Sequence, residues 1–314
     1  MNKNILKNDF LLLLTAIIWG FAFTAQRAGM EFVGPFTFNG VRFLIGAISI
    51  LPLIFLKNGN RSQKRYDERQ KVSNDLNLKR LIMYGAAGGI LLYLGASLQQ
   101  IGMVYTTAGK AGFITGMYVI IVPILGIFFR HKAGWRRWAG ALLSLTGLYF
   151  LSVKGSVKIN TGDIFVLLSA FFWASHVIAI SHFSPRVNAL KLAFIQYLFC
   201  GILSLISAFI VEDVQKSTIL LAWLPILYGS IFSVGIAYTL QVYAQKKVHP
   251  AHAAIILSLE GVFAVTGGWL ILGESMGVRG MVGCILMLSG MFISQSSLFS
   301  KQLSVNSEQN ATDN

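Results

Sequence analysis

The chain has 314 residues, of which 55% are hydrophobic and only 12% charged, with a formal charge of +14. That composition, with a mean hydropathy of +0.65, excludes an ordinary soluble domain and describes an integral membrane protein. The charge does not point to nucleic acid, because it is concentrated in short segments between apolar runs; the expected surroundings are a lipid bilayer.

About 20 mostly apolar residues cross a ~30 Å hydrocarbon core, and ten such runs follow one another. Residues 1–9 form a short basic lead. The first run, 10–28, carries Trp19 and Gln26, seven apart and so on one helix face. Read alone it resembles a signal peptide, but Phe23-Thr24-Ala25-Gln26 does not put small residues at both −3 and −1 of a cleavage point. The second run, 36–56, holds Asn39 and Arg42. Arg42 either snorkels to the surface, pairs with an acid, or attracts a carboxylate on a cargo. A polar, basic connection from Lys57 to Lys79 follows. Run 80–101 ends in Gln99 and Gln100, amides that bond either a neighbouring helix or a cargo. Run 108–129 opens near Gly109-Lys110, which is not a phosphate loop: Val104 and Ala111 stand where a glycine and a Ser/Thr are needed. ATP-driven transport by this chain is therefore not expected, and Lys110 reads as an interfacial anchor. Run 136–152 has a small-residue face of Gly140, Ser144 and Gly147.

After a linker at 153–161, run 162–182 carries Trp173 and His176 on one face. Run 190–210 includes Cys200. Run 220–243 includes Tyr238 and Gln241, with Gln245 just beyond on the same face. Run 251–272 contains Glu260 near its centre. An acid at a helix centre costs about 2.5–3.5 kcal/mol on insertion scales, so it faces protein or water. Its stripe of Ala253, Ala264 and Gly267 is small, which lets a helix or a ligand approach. Run 278–297 repeats a glycine face at Gly280, Gly283 and Gly290, and residues 298–314 form a polar tail. Such faces fit close packing within the chain or in a homo-oligomer. Cys200 and Cys284 read as small buried hydrophobes. No cofactor or metal site is expected, since His249 and His252 are three apart without a third ligand. Gly273-Glu274-Ser275-Met276-Gly277 matches a nucleophile elbow in letters only, because that elbow needs a strand before it and a helix after it.

The halves echo one another. Asp9 and Trp19 recur as Asp163 and Trp173, 154 residues on, and Arg42-Phe43-Leu44 falls on Gln196-Tyr197-Leu198. Leu98-Gln99 matches Leu240-Gln241 at 142, and Gly140 and Gly147 match Gly283 and Gly290 at 143. The expected architecture is thus all-α, ten transmembrane helices as two five-helix repeats, 10–152 and 162–297. Five is odd, so the repeats are inverted, as in many secondary transporters. With both termini cytoplasmic, 19 Lys/Arg fall inside and six outside, with Arg42 within a run. That is the positive-inside bias, and it fits a multi-pass bacterial inner membrane protein.

Trp19-Gly20, Gly34-Pro35-Phe36 followed by Arg42-Phe43, Pro123, and Gly273-Glu274 in this doubled pattern resemble the drug/metabolite transporter superfamily, specifically the EamA family of ten-helix transporters. The resemblance covers roughly residues 9–298. Two departures stand out. The proline common in the ninth span is missing around Glu260-Gly261-Val262, and Arg130-His131-Lys132 replaces a glutamate common at the end of the fourth. The resemblance implies alternating access around a central cavity and export of amino acids or related small metabolites. The expected substrate-binding residues are Trp19, Trp173, Tyr238, Gln241, Arg42 and Glu260; the expected proton-coupling groups are Glu260 and His176. The rival readings are a membrane-embedded enzyme acting on lipid or peptide bonds, which lacks a nucleophile–base set, and a facilitative uniporter or channel, which lacks a recognisable filter.

Overall fold

A computed structural model describes residues 3–59, 68–106, 108–128, 133–152, 160–272 and 277–294. Every element among them is helical. They are α1 (Lys3–Gly29), α2 (Pro35–Gly59), α3 (Glu68–Tyr105), α4 (Ala108–Gly116), α5 (Tyr118–Phe128), α6 (Trp135–Ser152), α7 (Thr161–Phe183), α8 (Ala189–Val211), α9 (Lys216–Leu221) and α10 (Trp223–Leu227). A π-helical segment (Tyr228–Tyr238) follows, then α11 (Thr239–Ala244), α12 (Pro250–Leu257), α13 (Glu260–Leu272) and α14 (Val278–Ser294).

Helix starts are well specified locally. Asn160 and Asp163 form a reciprocal capping box on α7, and Asn188 caps α8. Pro250 opens α12, where its missing N–H costs nothing, and His249 Nδ1 accepts from Ala251 N at 3.2 Å. α2 also opens on proline, but its cap comes from elsewhere in the chain. The Glu212 carboxylate at the end of α8 accepts from Phe36 N and Thr37 N at 2.8 Å and from Thr37 Oγ1 at 2.6 Å. A negative group there also opposes the positive end of the helix dipole.

Among the described residues, seven stretches are long and apolar enough to cross a membrane, and Pro250–Thr266 and Val278–Ser294 form shorter apolar helices. Three of the expected runs are not single α-helices. The fourth divides at Met117 into α4 and α5. The eighth passes through α10, the π segment and α11. The ninth divides at Ser258-Leu259 into α12 and α13, without a proline. At the breaks the bonding tightens to shorter loops: Met117 N bonds Ile114 O at 3.1 Å, and Leu259 N bonds Ile256 O at 3.1 Å. The connection expected to be polar from Lys57 to Lys79 is helical from Glu68 onward. α3 has 38 residues, about 57 Å at 1.5 Å per residue, and so outruns a bilayer core.

Packing is dominated by α3 against α7 and α8, α2 against α8, and α1 against α13 and the π segment. The glycine faces are used inside the chain. A Cβ at Gly140 would lie 2.6 Å from Gly290 O, and one at Gly147 would lie 2.6 Å from Gly283 O, so α6 and α14 touch backbone to backbone. Cys200 is buried and Cys284 half-buried, both as free thiols. The Lys110 side chain, Arg130-His131-Lys132 and residues 273–276 of the elbow-like sequence lie outside what the structure describes.

Candidate functional site

A cavity of about 490 Å³, its mouth included, lies between α1, α2, α3, α4, α5, α7, the π segment, α11, α12 and α13. Trp19, Trp173, Tyr238, Gln241, Arg42 and Glu260 all line it, with Phe23, Gln26, Gln99, Thr115, Tyr118, Val177, Ser233 and Leu257. An apolar wall carrying a few placed polar groups is typical of ligand sites.

Three rings make the wall. Tyr238 lies between the tryptophans, 4.5 Å from Trp19 and 6.1 Å from Trp173 by ring centroid. Each indole is anchored by its N–H. Trp173 Nε1 donates to Gln99 Oε1 at 2.8 Å, and Gln99 Nε2 donates onward to Gln26 Oε1 at 3.4 Å. Trp19 Nε1 donates to Ser233 O at 3.3 Å. That carbonyl belongs to the π segment, and α1 takes another there: Thr15 Oγ1 donates to Ala237 O at 3.2 Å. The wider helix turns its carbonyls toward a neighbour, which fits the recurrence of π segments at functional sites.

Arg42 is 2% exposed, so the snorkelling expectation fails: Arg42 points inward because α2 packs that face on α8 and the π segment. Its Nε donates to Asn39 Oδ1 at 3.0 Å, and its guanidinium carbon lies 5.4 Å from the Phe38 ring centre and 5.0 Å from that of Phe43. Aromatic faces partly replace lost solvent around a cation. Among the described residues Arg42 forms no ion pair with a carboxylate, Glu260 included.

Glu260, 5% exposed, is the first residue of α13, where a helix N-terminus favours a carboxylate. The Tyr118 hydroxyl approaches it without completing a hydrogen bond. Tyr118 is likewise the first residue of α5. His176 does not line the cavity. It lies edge-on behind Trp173 and Tyr238, with Nε2 3.0 Å from Gln196 Oε1. Gln245 ties helices together, its amide donating to Val177 O and Ser181 Oγ at 3.1 Å each. Among the described residues no group of three His, Cys, Asp or Glu is placed to hold a metal ion.

Ten of the fourteen lining residues form five pairs at the two spacings seen in the sequence. Trp19 with Trp173 and Phe23 with Val177 are 154 apart. Gln99 with Gln241, Thr115 with Leu257, and Tyr118 with Glu260 are 142 apart. The helix breaks obey the same spacing, Met117 to Leu259. Tyr118 was findable in the sequence as the residue 142 before Glu260. Ser233 was not, because its role depends on a π segment with no clear signature.

Comparison with known proteins agrees with this arrangement. The chain matches the model of the EamA-like transporter family over residues 6–153 and again over 160–295. It is 33% identical over 91% of its length to an uncharacterized transporter of Archaeoglobus fulgidus, covering 84% of that protein. It is 25% identical over 91% of its length to a "Probable amino-acid metabolite efflux pump" of Salmonella typhimurium, covering 94% of it. One solved crystal structure superposes with a TM-score of 0.73 at 16% identity, covering 95% of this chain and 98% of the other, a likeness of fold.

Proposed function

Because this chain belongs to the EamA-like transporter family, we propose that it is a secondary transporter exporting amino acids or related small metabolites by alternating access. The cavity is the cargo site, and Glu260 is the group on which coupling to protons falls. The chain is a multi-pass membrane protein; in this reading it has ten spans, two inverted five-helix halves and both termini in the cytoplasm.

The observation that carries the reading is the pair of helix breaks. α4 gives way to α5 at Met117, and α12 to α13 at Leu259, each just before a residue that lines the cavity. Discontinuous helices that meet at a central site between related halves are the usual construction of secondary transporters. The two matches of the family model to successive halves support the repeat. The bias of 19 Lys/Arg against six supports the orientation. The efflux-pump relative supports export of amino-acid metabolites. His176 is the weaker coupling candidate, since Gln196 already occupies one ring nitrogen.

Uptake of a mixed labelled pool of amino acids and small metabolites into proteoliposomes, with and without an imposed pH gradient, tests this. Saturable uptake that is stimulated by counterflow and rises with the gradient is expected, and Glu260→Gln should no longer respond to the gradient. Unsaturable flux would identify a channel. Glu260→Gln transporting normally with unchanged pH dependence would remove the coupling assignment.

A further inference from the structure

The cavity walls pair off at the two spacings, but the charges do not. Arg42 lines the cavity, whereas the residue 154 on, Gln196, does not; its amide oxygen lies at His176. Glu260 lines the cavity, and the residue 142 before it is the neutral Tyr118. Each half therefore brings one ionisable group of its own sign. They do not neutralise one another: among the described residues Arg42 has no ion pair, and its fixed partner is the Asn39 amide. Tyr238 is within electrostatic reach of both.

Burying a guanidinium and a carboxyl group in one cavity without pairing them is costly. Three further polar atoms in the lining are buried and unpartnered: Thr115 Oγ1, Tyr118 OH and Gln241 Oε1. Their residues are 3%, 4% and 1% exposed. Unpaired buried groups ask for a function, because each forfeits its hydration. The two ends also differ in chemistry. Arg42 can only donate. Glu260 is a carboxyl with the Tyr118 hydroxyl beside it, and Thr115 and Gln241 add a hydroxyl and an amide oxygen to the same lining.

We infer that the cavity selects dipolar metabolites. An anionic group sits on the Arg42 guanidinium and a protonated amine on Glu260. Thr115, Tyr118 and Gln241 offer acceptors for the amine's two remaining hydrogens, and the carbon skeleton between the charges lies on Trp19, Tyr238 and Trp173. Cations are well bound by aromatic faces and carboxylates by guanidinium, so both ends have a physical counterpart. Its biological meaning rests on the transport reading, but the binding claim stands separately.

Tryptophan fluorescence of the purified full chain in detergent provides the test. The probes are L-leucine and L-phenylalanine, which carry both charges on one carbon, 4-aminobutyrate and 6-aminohexanoate, which carry them progressively further apart, and hexanoate and hexylamine, which carry one each. At least one dipolar probe should bind about tenfold or more tightly than either single-charge compound, the scale of one charged hydrogen bond. Arg42→Gln should erase the preference over hexylamine, and Glu260→Gln the preference over hexanoate. Arg42→Lys and Glu260→Asp keep the charges and should retain both preferences, which separates recognition from misfolding. The inference is overturned if no dipolar probe binds, if single-charge probes bind equally well, or if both neutral variants lose affinity for every probe alike. Two-charge binding without flux in proteoliposomes would sink the transport reading alone. Flux indifferent to Arg42→Gln and Glu260→Gln would sink the dipolar site, and with it the coupling role of Glu260, while the transport reading stands.

Discussion

Under the proposed repeat, Trp19 and Trp173 hold corresponding positions, and so do Arg42 and Gln196, but the two pairs behave differently. Both tryptophans reach the cavity and flank one tyrosine, each through an anchored indole N–H. Arg42 reaches the cavity too, while Gln196 turns to His176. Asp9 and Asp163 diverge in the same way. Asp163 accepts from Thr106 Oγ1 and Asn160 N at 2.8 Å each, whereas Asp9 Oδ1 lies 3.3 Å from His252 Nε2. Corresponding positions thus keep their place between helices while their chemistry drifts. Shape at a helix contact is constrained from both sides, but charge only needs one suitable neighbour.

The comparison can be broken most forcefully at the tryptophans. Trp173→Ala should cost about 3–5 kcal/mol of stability, the range for deleting a large buried aromatic, because it also strands Gln99 Oε1. Trp19→Ala should fall toward the lower end of that range, since Trp19 is only half-buried and its N–H serves a backbone carbonyl. Thermal unfolding of both variants in the same detergent checks the order, and equal losses would contradict it.

The next test lies one residue along. A Cβ at Gly20 would stand 2.5 Å from Phe263 Cβ and 2.8 Å from Glu260 O, so α1 and α13 would have to separate. Gly20→Ala should cost about 1–3 kcal/mol through overpacking, and flux should fall with it. Its counterpart Ala174 is fully buried, and Ala174→Gly should lose only roughly 1 kcal/mol, the helix penalty of glycine. The same melting experiment, run on both, sharpens the contrast.

Smaller effects are expected at the polar pairs. Asp163→Ala removes half of a capping box and should cost about 1 kcal/mol, read from chemical or thermal unfolding. Smallest of all, His176→Gln should alter cargo flux by less than about twofold, a few tenths of a kcal/mol in barrier, because the side chain stands behind the wall. A larger loss, with folding intact, would return His176 to the coupling candidates.

The sequence by itself determined the membrane class, the runs, the doubled pattern and the small set of charged and aromatic residues worth following. These depend on composition and spacing, and a lone Glu260 or Arg42 in an apolar run is conspicuous because lipid does not tolerate it. It did not determine that Arg42 and Glu260 face one cavity unpaired, since depth and azimuth are set by how α2, α5 and α13 pack. Nor did it mark the breaks at Met117 and Leu259. No proline stands at either break; Pro123 falls within α5. There the backbone closes shorter loops, Met117 N on Ile114 O and Leu259 N on Ile256 O, and only the packing of the surrounding helices holds such a break in place.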